Sequence, residues 1–95
     1  MVNEQDFYRL ALQVHGIDRQ QLQCVEEMAE LTKELIKNTN RRFDNLDAII
    51  EEIADVEIML AQLKMHYNIE TEVAESKQRK FIRVMPYLQQ EKAAG

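Results

Sequence analysis

Two pairs of carboxylate residues are the side chains of this chain best suited to chemistry. In the segment V-E-E-M-A-E-L, Glu27 and Glu30 lie three positions apart on one helix face, and in E-E-I-A-D-V the same spacing joins Glu52 and Asp55. Glutamates at this spacing commonly form a solvated helix face. The first pair alone is therefore weak evidence for a functional site.

Glu52 is harder to explain as a solvated residue. On a helical wheel it falls between Met59 and Leu63, inside an apolar arc. Because an isolated charge in such surroundings is energetically costly, we expect Glu52 to be neutralised by a cation or by hydrogen bonds.

The predicted hairpin brings the two pairs to the same depth. Residues 38–45 form a polar turn, and both pairs lie roughly 10–15 Å from it at a rise of ~1.5 Å per residue. The spacing leaves two interpretations open, a metal site between the helices or an acidic surface. All-oxygen ligands without His or Cys favour Mg²⁺, with Mn²⁺ as the alternative and Ca²⁺ less favoured.

The elements that position these residues are predicted to be helices in one all-α domain over residues 1–95. Two glycines, one proline and 31% charged residues in 95 suit a bundle of about four helices with short connections. The first predicted helix is short and ends before Gly16, and the second runs from the cap Asp18 to about Lys37. The third runs from Leu46 to Tyr67 and is capped by Asp44 or Asn45. The fourth starts within 68–71 and ends near Met85, before Pro86.

Apolar residues almost surround the third predicted helix, whereas the second carries one broad apolar face, formed by a main stripe with Cys24, Met28, Leu31 and Leu35 beside it. A chain of this length cannot easily cover the third helix, so we expect a homodimer or homotetramer. Glu57 also lies against its apolar stripe, and one interpretation is that it pairs with a basic residue across a subunit interface. The stripe of the second helix comprises Leu22, Val25, Ala29, Thr32 and Ile36.

Composition and charge argue against several classes of protein. A formal net charge of −5 does not suit general binding to nucleic acid. The apolar runs are far shorter than the ~20 residues that span a bilayer, and the N-terminus has no basic segment followed by an apolar one. We therefore expect a cytoplasmic protein without a membrane partner. The single cysteine, Cys24, is predicted to be a buried small hydrophobe rather than a nucleophile.

The two acidic segments together resemble the MazG-like all-α nucleoside triphosphate pyrophosphohydrolases, whose mark is EExxE on one helix and ExxD on the next. Here these elements are residues 26–30 and 52–55, and the resemblance covers roughly residues 18–85. It implies a MazG-like helical bundle with a central antiparallel hairpin, and Mg²⁺-dependent conversion of (d)NTP to (d)NMP and pyrophosphate. The implied metal ligands are Glu27, Glu30, Glu52 and Asp55.

Further roles follow from the same resemblance. Glu26 and Glu27 are assigned to catalysis, with Glu26 either supporting the metal ligands or orienting water, and Glu34 is taken as solvated. The basic residues of the fourth helix are assigned to substrate phosphates, although their stems could instead cover apolar surface while the charges reach water. These residues are Lys77, Lys80 and Arg83.

Two other functions stay open. One is a non-catalytic helical module for oligomerisation or nucleotide sensing. The other keeps the site but cleaves a diphosphate or another pyrophosphate-containing metabolite. Base and sugar preference are not assigned.

Overall fold

A computed structural model describes residues 1–42 and 44–95, which form four α-helices and no strand. The prediction of an all-helical chain with about four helices is therefore confirmed. The part of the predicted turn at Phe43 lies outside the described residues. The helices are α1 (Glu4–His15), α2 (Ile17–Arg41), α3 (Leu46–Tyr67) and α4 (Glu70–Ala94).

One glycine both ends α1 and begins α2. Gly16 has φ 81°, a backbone conformation that a residue with a Cβ adopts only with strain. Its N–H donates to the Leu12 carbonyl at 2.9 Å, and its carbonyl accepts from the Gln20 N–H at 3.2 Å. The predicted end of α1 is confirmed. The predicted cap Asp18 was wrong, because Gly16 occupies the cap position and Asp18 lies in the first turn, where its charge favours the helix dipole.

The connection between α2 and α3 differs from the prediction at one end. Helix α2 continues to Arg41, past the predicted end at Lys37, whereas the predicted bounds of α3 are confirmed. Asn45 is the N-cap residue of α3, as predicted, although its side chain makes no capping hydrogen bond. Its amide instead donates to the Glu34 carbonyl at 2.9 Å, which ties the start of α3 to the body of α2.

Helix α4 runs through Pro86 to Ala94, so its predicted end near Met85 was wrong. A proline inside a helix removes the hydrogen bond to the carbonyl four residues earlier, here that of Ile82. Ile82 is 73% exposed. Water can therefore hydrogen-bond to the freed carbonyl, which lowers the penalty for continuing the helix.

Helices α2 and α3 form an antiparallel hairpin. Gln20, early in α2, hydrogen-bonds to Gln62, late in α3, whereas Glu34, late in α2, is bonded by Asn45, just before α3. Cys24 is buried, as predicted. The most buried residues of the hairpin are Gln20, Cys24, Ile49, Met59 and Gln62.

The face that α2 turns towards α3 is not its apolar stripe. Leu22 and Val25 are 67% and 57% exposed, and Ile36 is also exposed, so the predicted stripe has no cover within the described chain. The α2 residues that are buried or half-buried against α3 include two carboxylates. Residues on this face include Gln20, Cys24, Glu27, Leu31 and Glu34.

The chain exposes far more surface than a compact monomer of its size. Its accessible surface is 7815 Å², whereas a compact protein of 11.2 kDa exposes about 5,700 Å². The radius of gyration is 17.0 Å, compared with about 12 Å for a compact domain of this length. Every α4 residue from Lys77 onward is exposed. None of the described helices combines the length and apolar character that crossing a membrane requires.

Candidate metal centre

Three carboxylates meet between α2 and α3. One oxygen each from Glu27, Glu52 and Asp55 lies within 4.8 Å of the other two, and all three residues are half-buried. The three-residue spacing places Glu52 and Asp55 on one face of α3, and the antiparallel hairpin sets Glu27 against them. The structure therefore brings together three of the four residues predicted as metal ligands.

Glu52 is the least satisfied member of this carboxylate cluster. Its Oε2 atom is buried and has no hydrogen-bond partner among the described residues. Burial is the largest cause that raises the pKa of Glu52 above its ordinary value of 4.5. Nearby negative charges raise the pKa further, and in decreasing order of effect they belong to Asp55, Glu27, Glu30 and Glu34. The cluster thus concentrates negative charge without a described cation to balance it.

The distances in the cluster suit a hard cation. Two oxygens on opposite sides of an octahedral Mg²⁺ are about 4.2 Å apart, and opposite ligands of Ca²⁺ are about 4.6–5.2 Å apart. Separations of no more than 4.8 Å are compatible with three oxygens around one hard cation and do not distinguish Ca²⁺, Mg²⁺ and Mn²⁺. Acidic groups often lie together without an ion, so the buried, unpartnered Oε2 of Glu52 is the more informative observation at this cluster.

The other two acidic residues predicted for the site lie outside the cluster. Glu30 is exposed and is not among the three grouped carboxylates, although its charge acts on Glu52. Glu26 is exposed as well. Both are on α2, so they lie on the same side of the site as Glu27.

Glu34 is not simply solvated, contrary to the sequence-based expectation. Its side chain is only 14% exposed, and its carboxylate lies 3.5 Å from the Lys37 ammonium. Lys37, one turn later on the same helix, pairs with Glu34, whereas no described residue forms an ion pair with the three clustered carboxylates.

Gln23 is a site residue that the sequence-based reasoning missed. Its Nε2 donates to Glu27 Oε1 at 2.7 Å. This bond holds the Glu27 carboxylate in one orientation. The available signal was the four-residue spacing, since polar side chains one helical turn apart commonly hydrogen-bond.

We expect the Gln23→Met variant to bind Mn²⁺ about 10-fold more weakly than the wild type, because losing a group that orients a ligand typically weakens metal affinity 10- to 100-fold. Titration of the metal-free protein with Mn²⁺, followed by electron paramagnetic resonance, measures the affinity. Gln78→Met on exposed α4 is the matched control and should bind as the wild type does. Equal affinity for both variants would contradict an orienting role for Gln23.

The basic residues predicted to contact phosphate are on α4, away from the cluster. Lys77, Lys80 and Arg83 are exposed, and none forms an ion pair with a described carboxylate. Lys77 lines a groove with Lys64 where α4 leaves α3, whereas the carboxylates lie between α2 and α3. The structure does not bring these two sets together, and phosphate binding by the basic residues stays a prediction.

Comparisons with protein-family models, curated proteins and solved structures found no match for this chain. The MazG-like resemblance therefore depends on the two acidic motifs and their flanking residues.

Proposed function

We propose that this protein is a MazG-like, Mg²⁺-dependent nucleoside triphosphate pyrophosphohydrolase that converts (d)NTP to (d)NMP and pyrophosphate. The observation that carries the proposal is the buried, unpartnered Oε2 of Glu52, grouped with Glu27 and Asp55. This observation supports a cation. The step from a cation to triphosphate hydrolysis comes from the paired EExxE and ExxD motifs.

Glu27, Glu52 and Asp55 would hold the ion, with Glu30 completing the ligand set from the next turn of α2. Mg²⁺ supplies neutralisation of triphosphate charge and a lowered pKa for a bound water. Gln23 keeps the Glu27 carboxylate oriented through their hydrogen bond.

Two sets of residues outside the cluster complete the proposed site. Glu26 is assigned to orient the attacking water by accepting a hydrogen bond from it. The α4 residues Lys77, Lys80 and Arg83 are assigned to the substrate phosphates. Their charges have no described ion-pair partner, so anionic oxygens would not have to displace an internal carboxylate.

Self-association in the cytoplasm is part of the same proposal, as a homodimer or homotetramer. The exposed apolar faces of α2, α3 and α4 support it, because large uncovered apolar patches are uncommon on soluble monomers. Residues 1–95 would form one domain whose bundle is completed by other copies.

The second candidate is a non-catalytic helical module for oligomerisation or nucleotide sensing. The same exposed apolar faces favour it, since they would serve assembly whether or not a reaction occurs. In that case the carboxylates would bind a cation, or a nucleotide through a cation, without turnover.

A substrate screen separates these candidates. The protein is incubated with the common ribo- and deoxyribonucleoside triphosphates in Mg²⁺, Mn²⁺ or Ca²⁺, and the products are resolved chromatographically. We expect monophosphate and pyrophosphate with Mg²⁺ or Mn²⁺. Release of diphosphate and phosphate would contradict pyrophosphohydrolase activity. No turnover of these substrates, nor of diphosphates and other pyrophosphate-containing metabolites, would favour the non-catalytic module.

A further inference from the structure

The side of α3 that points away from the carboxylate cluster carries a second pattern, which we call the outer face. Its residues recur at alternating intervals of four and three, which is the pattern of a helix that packs along another helix. Its leucines and isoleucines are between 41% and 60% exposed. The outer face consists of Leu46, Ile50, Ile53, Glu57, Leu60 and Lys64.

Two charged residues interrupt the outer face. Glu57 and Lys64 lie seven positions apart, which is about 10 Å along a helix, so they are too far apart to pair with each other. Neither has an ion-pair partner in the described chain. The outer face therefore presents two opposite charges that are not paired within the described chain. A binding partner with the same two charges in reverse order would pair with both.

We propose that a second copy of this chain packs its α3 antiparallel against the outer face, around a two-fold axis between Leu60 and Ala61. Every contact in a two-fold interface occurs twice. Glu57 and Lys64 are equally distant from this axis. Each Glu57 therefore meets the partner's Lys64, and one contact satisfies all four charges.

The exposed area favours a second copy as the occupant. The chain exposes 7815 Å², about 2,000 Å² more than a compact protein of its mass. Obligate homodimers bury about 1,000–2,500 Å² per subunit. The excess surface, to which the exposed end of α4 contributes as well as the outer face, is within the range that one subunit buries in such a dimer.

A groove next to the outer face offers room for the partner's apolar side chains. Its volume is about 370 Å³, and it lies where α4 leaves α3. About the proposed axis, the partner's Ile53 lies level with Asn68, the residue before Ile69 in the lining of this groove. The groove is lined by Leu60, Leu63, Lys64, Ile69, Val73 and Lys77.

This inference deepens the proposed self-association and is independent of the proposed hydrolysis, because the carboxylate cluster lies on the opposite side of α3. An inactive protein would leave it untouched. A monomeric wild type would contradict both the interface and self-association.

Charge reversal tests the interface by sedimentation velocity. Glu57→Lys places two lysines opposite each other, and Lys64→Glu places two glutamates opposite each other, so each variant should weaken self-association at least 10-fold. The double variant Glu57→Lys/Lys64→Glu restores opposite charges and should associate as the wild type does. Glu75→Lys, on an exposed part of α4, is the matched control and should also match the wild type.

Mixing the two single variants gives the sharper test. In a mixed dimer, one subunit carries Glu57→Lys and the other carries Lys64→Glu. The two substituted positions face each other and form one pair of opposite charges. The unchanged Lys64 of the first subunit and the unchanged Glu57 of the second form the other pair. Both pairs are attractive. Native mass spectrometry of the co-refolded variants should show the mixed dimer in excess over both homodimers, even where a single variant folds poorly alone. Wild-type self-association in both single variants, or a statistical mixture of dimers, would overturn the two-fold interface.

Discussion

Replacing Glu52 with glutamine should lower Mg²⁺-dependent triphosphate hydrolysis by about 100-fold or more and abolish the thermal stabilisation by Mg²⁺ with a non-hydrolysable triphosphate. The variant keeps the size of the side chain but loses the charge of the one carboxylate with a buried, unpartnered oxygen. Loss of a directly ligating carboxylate should exceed the 10- to 100-fold effect of losing a group that merely orients a ligand. Steady-state kinetics and melting curves with and without the ions measure both effects.

Glu51→Gln is the control for this variant. It makes the same chemical change at the neighbouring position, where the side chain is exposed and outside the cluster. Hydrolysis and stabilisation by Mg²⁺ should stay near wild-type values. If Glu52→Gln also retained them, the three carboxylates would be an ordinary acidic surface.

Without a metal ion, Glu52→Gln should stabilise the protein rather than weaken it. Because the pKa of Glu52 is raised above 4.5 in the folded state, the folded state holds this proton more tightly than the unfolded state does. The associated stability is present below pH 4.5 and is lost as the pH rises through the raised pKa. In EDTA, the variant should therefore melt at a higher temperature than the wild type at pH 7.5, and the difference should vanish near pH 4. A difference that did not change with pH would contradict the raised pKa.

Replacing Gln62 with leucine should destabilise the protein by about 1–3 kcal/mol, the typical penalty for an unsatisfied buried polar group. Gln20 Nε2 donates to Gln62 Oε1 at 2.8 Å, and the two residues are 6% and 1% exposed. The leucine leaves the Gln20 amide buried without this acceptor. A loss of 1 kcal/mol lowers the melting temperature of a domain of this size by roughly 4–8 °C, which calorimetry resolves easily.

The double variant Gln20→Leu/Gln62→Leu separates the hydrogen bond from the loss of side-chain shape. With both amides removed, no buried polar group is left unpaired, so the double variant should be more stable than Gln62→Leu alone. Gln78→Leu on exposed α4 should change stability little. Additive effects of the two core substitutions would mean that the buried bond contributes no coupling energy.

The locally encoded features of the fold were predictable. The bounds of α3 and the end of α1 at Gly16 follow from helical periodicity and from a glycine whose positive φ suits a helix end. The meeting of Glu27 with Glu52 and Asp55 was predicted from the hairpin arrangement, although α2 extends four residues past the predicted end at Lys37, so the two sides are not equally far from the connection. The helix boundaries depend only on residues near in sequence.

Local periodicity did not predict which face of α2 packs against α3. The stripe around Leu22 and Val25 and the face around Gln20 and Cys24 repeat with the same helical period, so periodicity alone cannot rank them. The Gln20–Gln62 hydrogen bond and the burial of Cys24 accompany the face that packs on α3. That selection depends on residues distant in sequence.

Some features of the carboxylate cluster were likewise predictable from the sequence, and others were not. Its residues and its two helices were predictable from the sequence itself, because side-chain spacing on a helix is a local property, whereas its distance from the connection was not, since α2 extends past Lys37. Only the tertiary structure decided that Glu52 Oε2 lacks a partner, that Gln23 holds Glu27 and that Glu30 lies outside the group. Those outcomes depend on side-chain rotamers and on packing between α2 and α3, where a rotation of one helix by a fraction of a turn changes which oxygens meet.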